Sequence, residues 1–106
     1  MSEAVTLKKI MLEASRLGLR VFRNQVGGYK LSDGRFLQSG LCKGSSDLIG
    51  WTKDGKFCAI EVKAVGKQPT KEQVIFIENV KKAGGFACIL DDEKKLEKAL
   101  AEFEKQ

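Results

Sequence analysis

Histidine is absent from the 106 residues. Its absence excludes Ser-His-Asp and Cys-His hydrolases, histidine-dependent nucleases and the usual zinc hydrolases, all of which need an imidazole as base or ligand. Three cysteines, Cys42, Cys58 and Cys88, lie far apart, form no Cys-x-x-Cys and are odd in number. No disulfide framework is expected, a reducing compartment is, and the thiols read as small buried hydrophobes. Proline occurs once and no segment is of low complexity. No apolar run approaches about 18 residues, so none is long enough to span a membrane. The opening MSEAVTLKK has no apolar signal-peptide core, so a cytoplasmic, non-secreted protein is expected. What is present, 42% hydrophobic and 31% charged residues, suits a globular chain forming one domain over 1–106.

The charge is uneven. Residues 16–67 carry ten basic and four acidic side chains, whereas residues 72–106 carry six basic and eight acidic. One surface facing a polyanion is expected. A charge excess of this size is also what an ordinary solvated face shows.

Apolar spacing predicts a helix over 4–17, ended by Gly18. A strand follows over 19–26, then a short hairpin over 29–37 with its turn at Ser32-Asp33-Gly34. Residues 38–46 read as loop, and 47–53 and 56–64 as two strands joined around Lys53-Asp54-Gly55. A second helix is predicted over 70–83, with Thr70 and Gln73 spaced as a capping box. Residues 86–90, FACIL, are all apolar and are expected to form a central strand. A last helix opens at Asp92. The order suggests an α/β fold, a central mixed sheet flanked by helices.

The strand FCAIEVKAV sets Glu61 and Lys63 in an apolar run. An ionised carboxylate withdrawn from water is costly unless it is paired or bound to a cation. Glu61 and Lys63 are two apart and emerge on one face. A two-residue Asp54-Gly55 turn would pair Asp47 with Val62 and set Asp47 and Glu61 on opposite faces. A three-residue Lys53-Asp54-Gly55 loop, with Gly55 left-handed, would pair Thr52 with Lys56 and Asp47 with Glu61. The sequence permits both. In the second register the two acids share one point, a site for a hard cation such as Mg²⁺ that also accepts phosphate oxygens. An ammonium beside them, Lys63, can orient water or neutralise developing charge. That set suffices for phosphodiester hydrolysis without histidine.

The ordered set Glu13, Arg23-Asn24, Gly44-Ser45-Ser46-Asp47, Glu61-Val62-Lys63, Gln73 and Gly84-Gly85 resembles the virus-type replication–repair nuclease domain (VRR-NUC) of the PD-(D/E)xK nuclease superfamily. Ser46 stands where that superfamily often has proline. The resemblance implies a restriction-endonuclease-like core, α-β-β-β-α-β-α. It implies that Asp47, Glu61 and the Val62 carbonyl hold Mg²⁺ or Mn²⁺, that Lys63 is the catalytic lysine, and that Gln73 and Glu13 assist. It implies a homodimer acting on branched DNA such as Holliday junctions, in a bacterial cell or phage-infected host.

Other roles remain open from the residues alone. Gln73 fits a cap as well as a site. Glu13 fits a surface pair with Lys9 or Arg16. Arg23 and Asn24 suit a phosphate contact or an ordinary strand surface, and Tyr29 and Trp51 suit base stacking, although core packing is the expectation for Trp51. Lys30, Arg35, Lys43, Lys53, Lys56 and Lys67 are expected to form a phosphate-tracking rim, giving salt-dependent and base-indifferent binding. The alternative to a nuclease is a non-catalytic nucleic-acid-binding module of the same fold, and beyond that an α/β protein whose Asp47 and Glu61 face apart.

Overall fold

In the computed structural model, which describes residues 2–106, a 14-residue helix opens the chain: α1 (Glu3–Arg16). Ser2 caps it by accepting the Val5 N–H. Strand β1 (Arg20–Arg23) leads to a separate hairpin, β2 (Gly27–Lys30) and β3 (Phe36–Ser39). Then come β4 (Leu48–Trp51), β5 (Phe57–Val62), α2 (Lys71–Lys82), β6 (Phe86–Leu90), a 3-10 turn (Glu93–Lys95) and α3 (Leu96–Glu104). With the β2–β3 hairpin set aside as an insertion, the order is the expected α-β-β-β-α-β-α.

The main sheet runs β1-β4-β5-β6, with β1, β4 and β5 antiparallel and β6 parallel to β5 through the α2 crossover. The all-apolar β6 is an edge strand, not the central one expected. Its uniform hydrophobicity has another cause: α2 packs on one of its faces and α3 on the other. One face of β5 (Cys58, Ile60, Val62) joins Ile10 and Ala14 of α1 and Leu96 and Leu100 of α3 in the main core. The other face sets Ala59 and Ala87 against Ile77 and Val80 of α2. Burial pushes the Cys58 and Cys88 thiols up to about 12, so both stay protonated and inert. Cys42 departs from the expectation and is exposed in a loop. No helix among the described residues is long and apolar enough to cross a membrane.

The β4–β5 connection adopts the three-residue loop. Thr52 N–H donates to the Lys56 carbonyl at 2.8 Å, and Gly55 N–H to the Thr52 carbonyl at 3.0 Å. Gly55 takes φ +83°, a conformation that costs a side-chain-bearing residue about 1–2 kcal/mol. The Thr52 hydroxyl completes the turn, donating to Asp54 and accepting the Lys56 N–H. The resulting register pairs Leu48 with Ile60 and Trp51 with Phe57. Carried one step further, it sets Asp47 opposite Glu61.

Candidate metal-binding site

Alternation along β5 turns Glu61 to the α2 face, at the carboxyl end of the strand. It is 2% exposed. Asp47, just before β4, arrives beside it on the same face. The two segments lock each other: Asp47 N–H donates to Glu61 Oε1 at 3.1 Å, and Val62 N–H donates to Asp47 Oδ2 at 2.8 Å. Each carboxylate thus has one oxygen fixed by the opposing backbone. The other, Asp47 Oδ1 or Glu61 Oε2, remains for a ligand. Lys63 places Nζ 3.8 Å from Glu61 Oε2. In a strand a residue's N–H and C=O point to the same side, so the Val62 carbonyl also turns toward Asp47.

The electrostatics follow from this crowding. Burial pushes the Glu61 carboxyl up to about 7, and the Asp47 carboxylate pushes it the same way. The Asp47 N–H and the Lys63 ammonium pull it back. Two hard carboxylate oxygens and a backbone carbonyl are the donor types that Mg²⁺ and Mn²⁺ take, with waters completing the shell. The residues present therefore fit such an ion. Among the described residues no cluster of three or more histidine, cysteine, aspartate or glutamate side chains forms a metal cage.

A cleft of about 560 Å³ opens beside Asp47, lined among others by Arg23, Asn24, Lys43, Thr70 and Gln73. Gln73 sits there and caps α2 as well. Its Oε1 accepts the Thr70 N–H at 2.8 Å while its own N–H donates to Thr70 Oγ1. That occupies the amide oxygen and leaves the amide NH₂ for a ligand.

Asn24 is buried and fully engaged. Its Nδ2 donates to Ser45 Oγ and to the Ser46 carbonyl, both at 2.8 Å, and its Oδ1 accepts the Leu41 N–H at 2.9 Å. Its backbone N–H donates to the Asp47 carbonyl at 2.7 Å. Its place is to fasten the loop that delivers Asp47, where the sequence had suggested a phosphate contact.

The structure does not bring Glu13 to the acids. Its carboxylate takes two hydrogen bonds from Arg16, both 2.8 Å, and Arg16 also reaches Glu97 of α3 at 3.1 Å. The Arg16 guanidinium holds the Glu13 carboxyl below the usual range. The α1 residue that does approach is Glu3, overlooked in the sequence. Its Oε2 accepts the N–H of Ala64, next to Lys63, at 3.0 Å. Ten residues of helix, about 15 Å, separate the two glutamates, and only the amino end of α1 lies at the carboxyl end of β5. No sequence signal gave that direction.

The expected basic rim is only partly assembled. Arg23 and Lys43 line the cleft with Asp47, and Lys67 lines a smaller one of about 170 Å³ with Lys63 and Lys95. Lys53 and Lys56 lie at the far end of the β4–β5 hairpin, in a cleft against α3. Lys30 and Arg35 sit on the projecting hairpin, where Arg35 pairs with Asp33 at 2.7 Å.

In comparisons with known proteins, the family model described as the VRR-NUC domain matches residues 32–91, more than half of the chain. No curated protein matches.

Proposed function

The chain belongs to the VRR-NUC domain family, and from that premise we propose that it is a Mg²⁺- or Mn²⁺-dependent endonuclease selective for branched DNA. The observation that carries the reading is the mutual locking of Asp47 and Glu61, each with one oxygen left for a ligand and Lys63 alongside.

A bound divalent ion would supply a low-pKa water and charge neutralisation at the scissile phosphate. Asp47, Glu61 and the Val62 carbonyl would hold it. The chain's own groups do the rest. Lys63 sets its ammonium beside the acids, where it orients an attacking water or offsets the added negative charge of the transition state. The Gln73 NH₂ donates to a phosphate oxygen or that water. Glu3 anchors the strand just past Lys63 through Ala64 N–H. Arg23 and Lys43 position the backbone in the cleft without reading bases. Lys67 extends that contact on the other side of Lys63. One such centre cuts one strand, so cutting both strands at a junction takes two copies.

The test is a panel of linear duplex, flap, Y-shaped and four-way junction DNA with Mg²⁺, Mn²⁺ or EDTA. Metal-dependent cutting of branched substrates, lost in Asp47→Ala and Glu61→Ala, is expected. Tight binding without cutting in either metal would favour a non-catalytic module. Equal cutting of linear and branched DNA would remove the structure selectivity.

A further inference from the structure

The β2–β3 hairpin leaves the body of the protein beside the acids. Its stems run through residues 24–26 and 40–44, and Gln25, Val26, Lys43 and Gly44 line the cleft with Asp47. The root is tightly drawn. Gly40 takes φ +80°, and a Cβ on it would lie 2.7 Å from the Gln25 carbonyl oxygen. Ser39 Oγ donates to that same carbonyl at 3.2 Å, and Asn24 Oδ1 accepts the Leu41 N–H. Beyond the root the two strands contact chiefly each other, and every residue of both is exposed. The hairpin stands off as an arm, and the radius of gyration, 14.4 Å, exceeds the roughly 13 Å of a compact chain this long.

The arm carries two open rings. Register sets Tyr29 opposite Leu37 and Lys30 opposite Phe36, so alternation turns Tyr29 and Phe36 to opposite faces of the ribbon. Tyr29 is 59% and Phe36 66% exposed. A Cβ on Gly28 would lie 2.5 Å from the Phe36 ring, so glycine seats one side of that ring on the arm and the other side is bare. The main sheet offers a contrast. Among the described residues no helix packs on the α2 side of β1 and β4, where register places Phe22 and Trp51. Trp51 is therefore 50% exposed, although core packing was the expectation for it. Those two rings lie 5.6 Å apart and partly cover each other, whereas Tyr29 and Phe36 pair with no ring among the described residues.

We propose that the arm is a base-stacking element: Tyr29 and Phe36 take the faces of unpaired bases at a branch point of DNA whose backbone lies in the Asp47 cleft. Residues 23–46 carry four basic side chains and one acidic. Lys30 shares the face of Phe36, and Arg23 and Lys43 stand at the root. Cations that track a backbone beside flat rings are what holds single-stranded nucleic acid. Paired bases offer only their edges in the grooves, so rings raised on an arm call for bases already out of the stack. A protein partner suits the arm less well, because neither face is continuously apolar. Lys30 and Gln38 flank Phe36, and Ser39 and Arg35 flank the Tyr29–Leu37 pair. Tyr29 lies three residues beyond Val26, about 10 Å along the strand. That is the rise of about three stacked base pairs, which sets the stacked base a few nucleotides from the cleft. The inference rests on the nucleic-acid reading of the cleft and adds to it the part of a branched substrate that is read.

The test is binding in EDTA, followed by fluorescence anisotropy, to a Y-shaped DNA with unpaired arms and to a linear duplex of equal length. Tyr29→Leu and Phe36→Leu keep an apolar side chain and remove the flat ring. Each is expected to weaken binding to the Y-shaped DNA about tenfold and to the duplex by less than about twofold. Tyr29→Phe and Phe36→Tyr are expected to keep the affinity of the unaltered chain. Iododeoxyuridine in the unpaired arms is expected to photocrosslink to Tyr29 or Phe36. Circular dichroism checks that the leucine variants keep their secondary structure. Leucine variants that bind the Y-shaped DNA as the unaltered chain does overturn the proposal. So does equal weakening on both DNAs, which would make the arm a backbone grip, or aromatic exchanges that weaken binding as much as leucine does. Leucine variants that lower the mass of the DNA-free protein in light scattering, with DNA binding unchanged, overturn it in favour of a second copy as the occupant. Stacking without metal-dependent cutting leaves this proposal standing and removes the nuclease. Cutting and binding that the leucine variants leave unchanged does the reverse.

Discussion

Replacing Glu61 by glutamine is expected to stabilise the metal-free protein at pH 8 and to leave it almost unchanged at pH 4. The buried carboxyl has its ordinary value of 4.5 raised to about 7. The folded state therefore holds a proton more tightly than the unfolded one. Stability falls as pH rises from about 4.5 to about 7 and is level above that, the reverse of an ordinary salt-bridged acid. The full elevation corresponds to roughly 3 kcal/mol at pH 8. Glutamine keeps an acceptor for the Asp47 N–H but turns an NH₂ toward Lys63, which returns part of the gain. A net of about 2 kcal/mol is expected, or roughly 8–16 °C in Tm for a domain near this size. Thermal unfolding by circular dichroism in EDTA at the two pH values measures it. No gain at pH 8, or an equal gain at both, would refute the claim that Glu61 is strained by burial and by Asp47. Such a gain would mark a residue kept for binding at a cost to the fold.

Lys63→Ala should lower cutting about a hundredfold, as for loss of one transition-state donor, while Mn²⁺ binding persists; parallel cleavage kinetics and metal titration would show it. Glu3→Ala should lower cutting and Glu13→Ala should not, because only Glu3 reaches the β5 end of the site and alanine removes the acceptor of the Ala64 N–H; assaying both on one junction substrate separates them. Asn24→Ala should cost about 1–3 kcal/mol by leaving buried partners unsatisfied, and limited proteolysis should then open the loop at residues 41–46.

The core elements were legible because their signals are local. Apolar spacing marks α1 and α2, Thr70 and Gln73 mark a cap, and Glu61-Val62-Lys63 marks an acid in an apolar strand. The β4–β5 register was not decided by local signals. Asp54-Gly55 suits two loops, and the Thr52 side chain, bonded to both Asp54 and Lys56 N–H, belongs to the three-residue one. What depended on the path of one element past another was not legible. FACIL reads the same whether strands or helices cover it. Trp51 looks like core until α2 is known to stop at β5. Glu13 and Glu3 share a helix, and only the direction of α1 across the sheet says which one meets Lys63. Asn24 next to Arg23 suggests a polyanion, whereas burial and three side-chain hydrogen bonds give it to the loop instead.

The central claim is that Asp47 and Glu61, held by each other's backbone, form one divalent-cation site. Calorimetric titration of Mn²⁺ into the metal-free protein at pH 8, beside Asp47→Ala and Glu61→Gln, measures it without DNA or turnover. Saturable uptake by the unaltered chain, lost in both variants, is predicted. No uptake, or uptake that survives both substitutions, would contradict it.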